Sequence, residues 1–307
     1  MEQREDVAFK TLDGLTLRGH FYPARGGGKN AAIIMTPGFG AAKDIFLPNI
    51  ASAFQAAGIS ALVYDPRTSG ASDGEPRNDI DPARQVGDYH DALTYLRSAE
   101  SQRVDPARIG YWGFSFAGAV ALNAAALDRR ARLVVAVCPL TQNWDLGARR
   151  EKVLAKAIRD REAQVGGGAA PFRLPLVDER TGENPAGFDA GGTGPDEAKL
   201  VADVAARVPG FDGTTTLQTY YHVAAWDPFP LVPFVSPTPI LVVTPEADAI
   251  SPAEKQRALY YDVMQYPKEQ FVVPGAGHMN CLSGDSFGPT VAAQIDFIHR
   301  YLGTGSN

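Results

Sequence analysis

The strongest constraint on the fold of this 307-residue chain is a series of short, almost wholly apolar runs separated by helix-length segments. Strands that are buried on both faces have this composition, which is typical of a parallel sheet covered by helices on each side. Strand alternating with helix predicts an α/β class, a doubly wound and mostly parallel sheet. The apolar runs lie at 31–35, 60–64, 109–112, 133–137, 240–243 and 271–273.

The segments between these runs predict the covering helices. Some show apolar residues near the helical period, one is rich in alanine, and two carry a proline early, where its missing N–H costs little. The predicted helices span 46–57, 82–98, 115–127, 252–264 and 289–302.

The first two strand patterns differ from the later ones because their polarity alternates. They cover 7–12 and 15–22 and meet at Asp13-Gly14, a dipeptide that supplies the positive φ of a tight hairpin. We therefore expect an antiparallel ribbon at one edge of the sheet.

The stretch 141–236 breaks the alternation. It holds a glycine run, a polar run rich in Gly, Asp, Thr and Asn, and two charged helical patterns at 147–163 and 196–207. Long irregular segments inside a compact domain are usually functional lids or disordered. We interpret 141–236 as an inserted cap, with 1–140 and 237–307 forming the core.

Composition and charge exclude several classes of function. With 45% apolar and 21% charged residues the chain can bury a core, and a net charge of −6 without a basic run gives no footprint for nucleic acid. The charged N-terminus lacks the apolar segment of a signal peptide, and no run approaches a membrane span. We expect a soluble, cytoplasmic protein with no membrane partner, and the sequence leaves a homodimer open.

The most specific motif is Gly113-Phe-Ser-Phe-Ala-Gly118, placed after an apolar strand and opening a helix. A nucleophilic serine on a sharp strand-to-helix turn needs tiny neighbours two residues away on either side. Gly113 and Ala117 meet that need, although glycine is usual at the second position. Ser115 is therefore the predicted nucleophile; the alternative is a serine that merely caps the helix.

A serine hydroxyl needs a base, and the base needs an orienting carboxylate. Among five histidines, His278 alone lies in a glycine-rich loop just past a buried strand, where catalytic groups of parallel sheets collect. Asp248 likewise follows a buried strand, with Glu246 and Asp145 as alternatives. The order Ser115, Asp248, His278 matches that of one triad fold.

Acyl chemistry also requires donors for an oxyanion. The turn Thr36-Pro-Gly-Phe-Gly40 follows a strand and could aim the Phe39 N–H at the site, and the Phe116 N–H is the expected second donor. A plain glycine turn is the alternative.

Neither a metal nor another cofactor is predicted. Cys138 and Cys281 lack the spacing of a zinc or redox site, no His, Asp and Glu cluster has ligand spacing, and free, buried thiols are expected, with a single bridge left open.

Aromatic residues crowd the predicted mouth of the site and favour a largely apolar ligand. The candidate substrate-binding residues are Phe114, Trp144, Tyr220 and Trp226. Some of these aromatics could equally pack between cap and core.

Together these residues resemble the α/β-hydrolase superfamily. The glycine turn, the loop Asp65-Pro-Arg-Thr-Ser-Gly-Ala-Ser72, the serine motif, Asp248 and His278 occur in its order. Asp65 and Arg67 of that loop are expected to brace neighbouring loops. The segment 239–278 is similar to dienelactone-hydrolase-related proteins, nearest to fungal polyketide hydrolases and transferases of secondary-metabolite clusters. The resemblance implies a small-molecule acyl or polyketide substrate, held as a carrier-protein thioester.

These observations predict an acyl-transfer enzyme that works through an acyl-serine. Hydrolase and transferase use the same triad, so the residues do not separate them. A polyketide cyclase or C–C bond hydrolase with the same triad is one alternative. A binding protein on a hydrolase scaffold is another, because a fold does not dictate activity.

Overall fold

The computed structural model describes residues 4–100, 102–142, 144–178, 180–188, 203, 206–208 and 211–304. Ten strands lie within these ranges, most of them where the apolar runs predicted. They are β1 (Glu5–Lys10), β2 (Thr16–Tyr22), β3 (Asn30–Thr36), β4 (Ser60–Tyr64), β5 (Val104–Phe114), β6 (Val134–Val137), β7 (Arg173–Pro175), β8 (Thr214–Thr216), β9 (Ile240–Pro245) and β10 (Lys268–Val273).

Seven α-helices are present in the same ranges, together with short 3-10 turns at Gly147–Arg149 and Phe229–Val235 and a π-helical turn at Arg257–Tyr261. The α-helices are α1 (Leu47–Ala56), α2 (Pro82–Ser98), α3 (Phe116–Leu127), α4 (Arg150–Gly167), α5 (Leu217–Ala224), α6 (Ala253–Gln256) and α7 (Gly284–Leu302).

Eight strands form one sheet in the order β1-β2-β4-β3-β5-β6-β9-β10. β1 pairs with β2, and β2 with β4, in antiparallel fashion, while every later neighbour is parallel. The predicted edge ribbon and the mostly parallel α/β sheet are therefore confirmed. Because the parallel strands end at one edge, the loops that follow β3, β5, β6, β9 and β10 meet there.

The core lies on both faces of the sheet because the central strands have no polar face. In β3, Ala32 and Ile34 pack in the layer that contains α2 and α3. Ile33 and Met35 point to the opposite layer, which contains α1 and α7. All seven residues of β3 are buried. This two-sided burial is what a near-continuous apolar run predicts.

Two helices differ from their predicted bounds by more than one residue at an end. The last helix begins at Gly284 rather than at 289, so Pro289 lies in its second turn, where the missing N–H removes one backbone hydrogen bond. The segment predicted as one helix over 252–264 is instead the short α6 followed by the π-helical turn.

Within 141–236 the structure adds a two-stranded antiparallel sheet that the sequence did not predict, because β7 and β8 are only three residues each. The pattern at 147–163 becomes a 3-10 turn and α4, which continues to Gly167. The helix predicted at 196–207 lies outside the described residues, except for a few isolated positions. The boundaries of the inserted cap stay a prediction.

None of the helices in the described ranges combines the length and the hydropathy that crossing a bilayer requires.

Candidate active site

Ser115 sits on a strained turn between β5 and α3. Its backbone angles are φ 56° and ψ −120°, a region that side chains rarely adopt without support from their surroundings. A Cβ on Gly113 would lie 2.1 Å from the carbonyl oxygen of Ala117, and one on Gly118 would lie 3.1 Å from Pro139. The small residues of the motif are therefore required by close backbone approach.

The Ser115 side chain does not cap the helix that it precedes. Its Oγ lies 2.8 Å from Nε2 of His278, which follows β10 in the glycine-rich loop. Both residues are buried. The alternative of a simple helix cap is therefore not what the side chain does here.

Asp248 completes the chain of hydrogen bonds. Its Oδ2 lies 2.8 Å from Nδ1 of His278, and the two side chains are 0% and 3% exposed. The other carboxylate oxygen accepts from the backbone N–H groups of Ile250 and Ser251, at 3.0 and 2.7 Å. These contacts orient a base toward a hydroxyl, the arrangement on which nucleophilic acyl chemistry relies.

The two alternative acids lie elsewhere. Glu246 is exposed and accepts a hydrogen bond from the Gly275 N–H, and Asp145 is exposed and accepts from the Gly147 N–H. No described hydrogen bond joins either carboxylate to His278.

The glycine turn after β3 lies against the serine. A Cβ on Gly38 would lie 3.4 Å from Cβ of Ser115, and the rings of Phe39 and Phe116 are 5.4 Å apart. Among the described residues, no protein acceptor takes the backbone N–H of Phe39 or of Phe116. Both predicted oxyanion donors are thus unused by the protein.

The loop 65–72 braces this turn, as its motif predicts. Asp65 is buried and accepts hydrogen bonds from the N–H and the Nζ of Lys43, each at 2.8 Å, and from the Ala71 N–H at 2.9 Å. Lys43 lies four positions beyond Phe39, so the contact ties the segment after β3 to the loop after β4. Arg67 instead binds Asp88 and Asp13.

A cavity of about 140 Å³ opens beside Ser115. This is close to the roughly 150 Å³ of an engineered apolar cavity that binds benzene. Ser115 and His278 are the only polar side chains among its described lining residues, so the cavity suits an apolar group next to the nucleophile. The apolar lining includes Phe39, Phe114, Leu140, Leu176, Val177, Phe188, Phe211, Ile250 and Met279.

Of the four candidate substrate-binding residues, the structure places Phe114 in this lining. Trp144, Tyr220 and Trp226 are not among its described lining residues. Trp144 packs on Phe116, with ring centroids 5.4 Å apart, and 5.1 Å from Trp226. Tyr220 is fully buried and accepts a hydrogen bond from Asn184. Trp144 and Tyr220 belong to the buried core and Trp226 packs against it, so these three aromatics serve packing here, the alternative that their large apolar area left open.

Sequence reasoning missed the residues that 141–236 contributes to the cavity. They are Leu176, Val177, Phe188 and Phe211. Phe188 was detectable in principle, as a single aromatic within a polar run, and its ring lies 4.6 Å from that of Phe39. The others gave no signal, because one or two apolar residues beside a very short strand resemble ordinary packing.

Both cysteines are free and buried, as predicted. Burial, and then contact with the Cys281 thiol, raises the pKa of Cys138 well above its ordinary value. Cys138, Asp248 and His278 are the one group of possible metal ligands among the described residues, with ligand atoms within 4.8 Å of one another. Because both ring nitrogens of His278 already make hydrogen bonds, to Asp248 and to Ser115, these residues fit a metal poorly.

The fold and this site define a class of protein. The sequence profile of the Alpha/beta hydrolase family matches residues 33–292, so the chain belongs to that family. The predicted resemblance is confirmed.

Similar proteins cover almost the whole chain. A thiohydrolase of Eupenicillium brefeldianum is 44% identical over 303 residues, covering 99% of this chain and 96% of the relative. A polyketide transferase of Stachybotrys chlorohalonatus is 43% identical over 299 residues, covering 97% and 98%.

Solved structures of similar proteins have the same fold. DcsB, in a complex with its substrate analogue, aligns with a TM-score of 0.89 at 40% identity, covering 98% of this chain and 99% of that one. The α/β hydrolase GrgF from Penicillium sp. sh18 aligns with a TM-score of 0.87 at 39% identity, with the same coverage.

Proposed function

We propose that the protein is a serine-dependent acyl-transfer enzyme, a thioesterase-type hydrolase or an acyltransferase. The observation that carries the proposal is the continuous contact from Ser115 Oγ through His278 to Asp248, 2.8 Å at each step, beside an apolar cavity. Relatives named as a thiohydrolase and a polyketide transferase support the same chemistry.

In the acylation half, His278 Nε2 takes the proton of Ser115 as Oγ bonds to the carbonyl carbon of the thioester. The negative charge that forms on the carbonyl oxygen is stabilised by hydrogen bonds that the N–H groups of Phe39 and Phe116 donate. The carbon–sulfur bond then breaks, and His278 returns the proton to the departing thiolate. Asp248 holds the imidazole in place throughout.

In the second half, a nucleophile enters where the thiol left. Water, or an alcohol or amine, gives its proton to His278 and bonds to the acyl carbon, and the carbon–Ser115 oxygen bond breaks as the proton returns to Oγ. Water gives a free acid and the other nucleophiles give a transferred acyl group, so one arrangement supports both outcomes.

We propose as substrate the thioester of a largely apolar acyl or polyketide chain, with a carrier protein as its natural holder. The apolar lining of the cavity supports the chain's character, since only Ser115 and His278 offer polar side chains there. The names of the relatives support the thioester and the polyketide.

Replacing Ser115 by alanine tests the proposal. We expect S115A to lower kcat/KM for butyryl-N-acetylcysteamine by about 10⁴-fold or more, because the remaining donors bind but cannot form the acyl-enzyme. Intact-protein mass spectrometry after fluorophosphonate treatment should show labelling of the wild type and none of S115A.

The matched control is S98A, since Ser98 is an exposed serine on α2 whose hydroxyl donates to the backbone carbonyls of Thr94 and Tyr95. It should match the wild type in both assays. Turnover by S115A at the wild-type rate would refute the proposal. Product analysis with a competing alcohol separates hydrolysis from transfer.

A further inference from the structure

A buried glutamine touches the same carboxylate as the candidate base. Nε2 of Gln256, the last residue of α6, lies 3.1 Å from Oδ2 of Asp248, the oxygen that also contacts His278 Nδ1. Gln256 is 0% exposed. Oδ2 therefore contacts two nitrogens, one of the candidate base and one of an amide outside the Ser–His–Asp set.

The surroundings determine which way this amide points. Nε2 also donates to the carbonyl oxygen of Ser251 at 2.5 Å, so both neighbours of the nitrogen are acceptors. A flipped amide would turn its oxygen toward a carboxylate and a carbonyl. Only the N–H₂ end fits against Asp248 and Ser251.

The oxygen end of the Gln256 amide lacks a hydrogen bond in this arrangement. Among the described residues, Oε1 of Gln256 is buried and has no hydrogen-bond partner. Buried polar atoms are rarely left so, and each case calls for a reason. A donor aimed at Asp248 is such a reason, since a residue there for packing alone would be less costly if it were apolar.

The local helix geometry keeps Gln256 in position. α6 gives way to the π-helical turn directly after it, and such turns occur often at functional sites. The Gln256 N–H is fixed to the carbonyl oxygen of Pro252 at 2.9 Å.

We propose that Gln256 is a positioning residue that holds the Asp248 carboxylate in the orientation that His278 requires. Oδ1 is fixed by backbone N–H groups after β9, and Gln256 donates to Oδ2, the oxygen that the imidazole contacts. The amide restricts rotation of the carboxylate and shares its negative charge. The expected effects on kcat and on the pH profile rest on the proposed function.

No described basic side chain competes for this role. The titratable groups that face the pair are the Cys138 thiol, whose Sγ lies within 4.8 Å of the Asp248 and His278 ligand atoms, and Cys281, which donates to the His278 carbonyl oxygen. Lys255, next to Gln256, instead binds the side chain of Gln142.

The variant Q256M tests the inference, because methionine is similar in length but cannot donate. Without the amide, Oδ2 attracts the protonated imidazole more strongly, so the base stays protonated to higher pH. We expect the acidic limb of the kcat/KM profile for butyryl-N-acetylcysteamine to move up by about half a pH unit. We expect kcat to fall about tenfold from lost orientation.

Q294M is the matched control. Gln294 is also 0% exposed and hydrogen-bonded through both amide atoms, to Trp112 and Thr290, but it does not contact Asp248. Its replacement should lower the melting temperature and leave the acidic limb in place. A limb that moves equally in both variants, or in neither, would overturn the inference.

Q256E keeps the shape of the glutamine and serves if Q256M fails to fold. Its carboxyl can donate to Asp248 only while protonated, so its rate relative to wild type should fall as pH rises. A constant ratio across the profile would contradict the inference.

An NMR titration of the histidine ring carbons separates this inference from the proposed function. It reads the protonation of His278 without turnover, so it should show the upward movement in Q256M even if the wild type cleaves no thioester. Failure of S115A to differ from wild type would instead count against the proposed function.

Discussion

At the residue scale, the positions that converge at Ser115 could be predicted because each follows a buried parallel strand. Such strands end at one edge, so residues 163 positions apart, Ser115 and His278, can lie in contact. Gln256 could not be predicted in this way. It lies on a helix, and only the turn of that helix against Asp248 gives the amide its role.

Gly113 has the tightest steric requirement in the strained turn that carries Ser115. In G113A the new Cβ would lie 2.1 Å from the Ala117 carbonyl oxygen, and its nearest neighbours are all backbone atoms of Ala117 and Gly118, which cannot rotate away as a side chain could. We expect a loss of about 3 kcal/mol in the free energy of unfolding, measured by urea denaturation, together with loss of activity. G87A is the control, because no atom of the described residues lies within 4 Å of a Cβ at Gly87. Equal stability of the two variants would contradict this account.

At the element scale, wholly apolar runs and long amphipathic segments were predictable, whereas the strands β7 and β8 were not. β4 and α2 have the bounds that the sequence predicted. β7 and β8 have three residues each, too few for a period to show. The cavity residues from 141–236 were missed for the same reason, since most of them lie in the segments that flank these two strands.

Helix α5 is held to the start of α2 by His222. Its Nε2 lies 3.4 Å from Asp79, and its Nδ1 lies 3.9 Å from Asp81, which caps α2. Burial disfavours the charged ring, but the hydrogen bond to Asp79 and the charges of both carboxylates outweigh burial and the repulsion from Arg84. They raise the pKa of His222 above its ordinary value.

This pair predicts a pH-dependent contribution to stability. Because the pKa is raised by folding, the contribution is fully present below about pH 6.5, the ordinary histidine value, and is lost as pH rises through the folded value. The change is at most about 1 kcal/mol, since the pair is partly exposed. In H222Q the free energy of unfolding should lose this slope, measured by urea denaturation from pH 6 upward.

H299Q provides the comparison. The His299 ring contacts the carbonyl oxygen of Ala57 and no described carboxylate. Its slope should equal that of the wild type, and a slope unchanged in H222Q would contradict the assignment.

At the scale of the whole molecule, the fold class could be predicted from the sequence, whereas the contacts between distant segments could not. Arg67 makes such contacts. Its guanidinium binds Asp88 of α2 through two nitrogens, at 2.5 and 2.9 Å, and Asp13 of the edge hairpin at 2.9 Å. The motif indicated a bracing role, but its partners depend on packing that no local pattern encodes.

Removing the contacts of Arg67 with Asp88 and Asp13 should destabilise the whole fold. Arg67 is 6% exposed and Asp88 1%, so R67M leaves a buried carboxylate unpaired and should cost about 3 kcal/mol of unfolding free energy. R103M is the comparison, since Arg103 also binds two carboxylates but is 38% exposed, and it should cost under about 1 kcal/mol. Similar losses in urea denaturation would refute the distinction.

The apolar lining of the cavity would affect how long a covalent intermediate persists. A covalent intermediate formed there would be surrounded by hydrocarbon, and its lifetime would depend on how often a small polar molecule penetrates. The balance between release and transfer would then be a kinetic competition for entry, and the concentration of the acceptor would set the product.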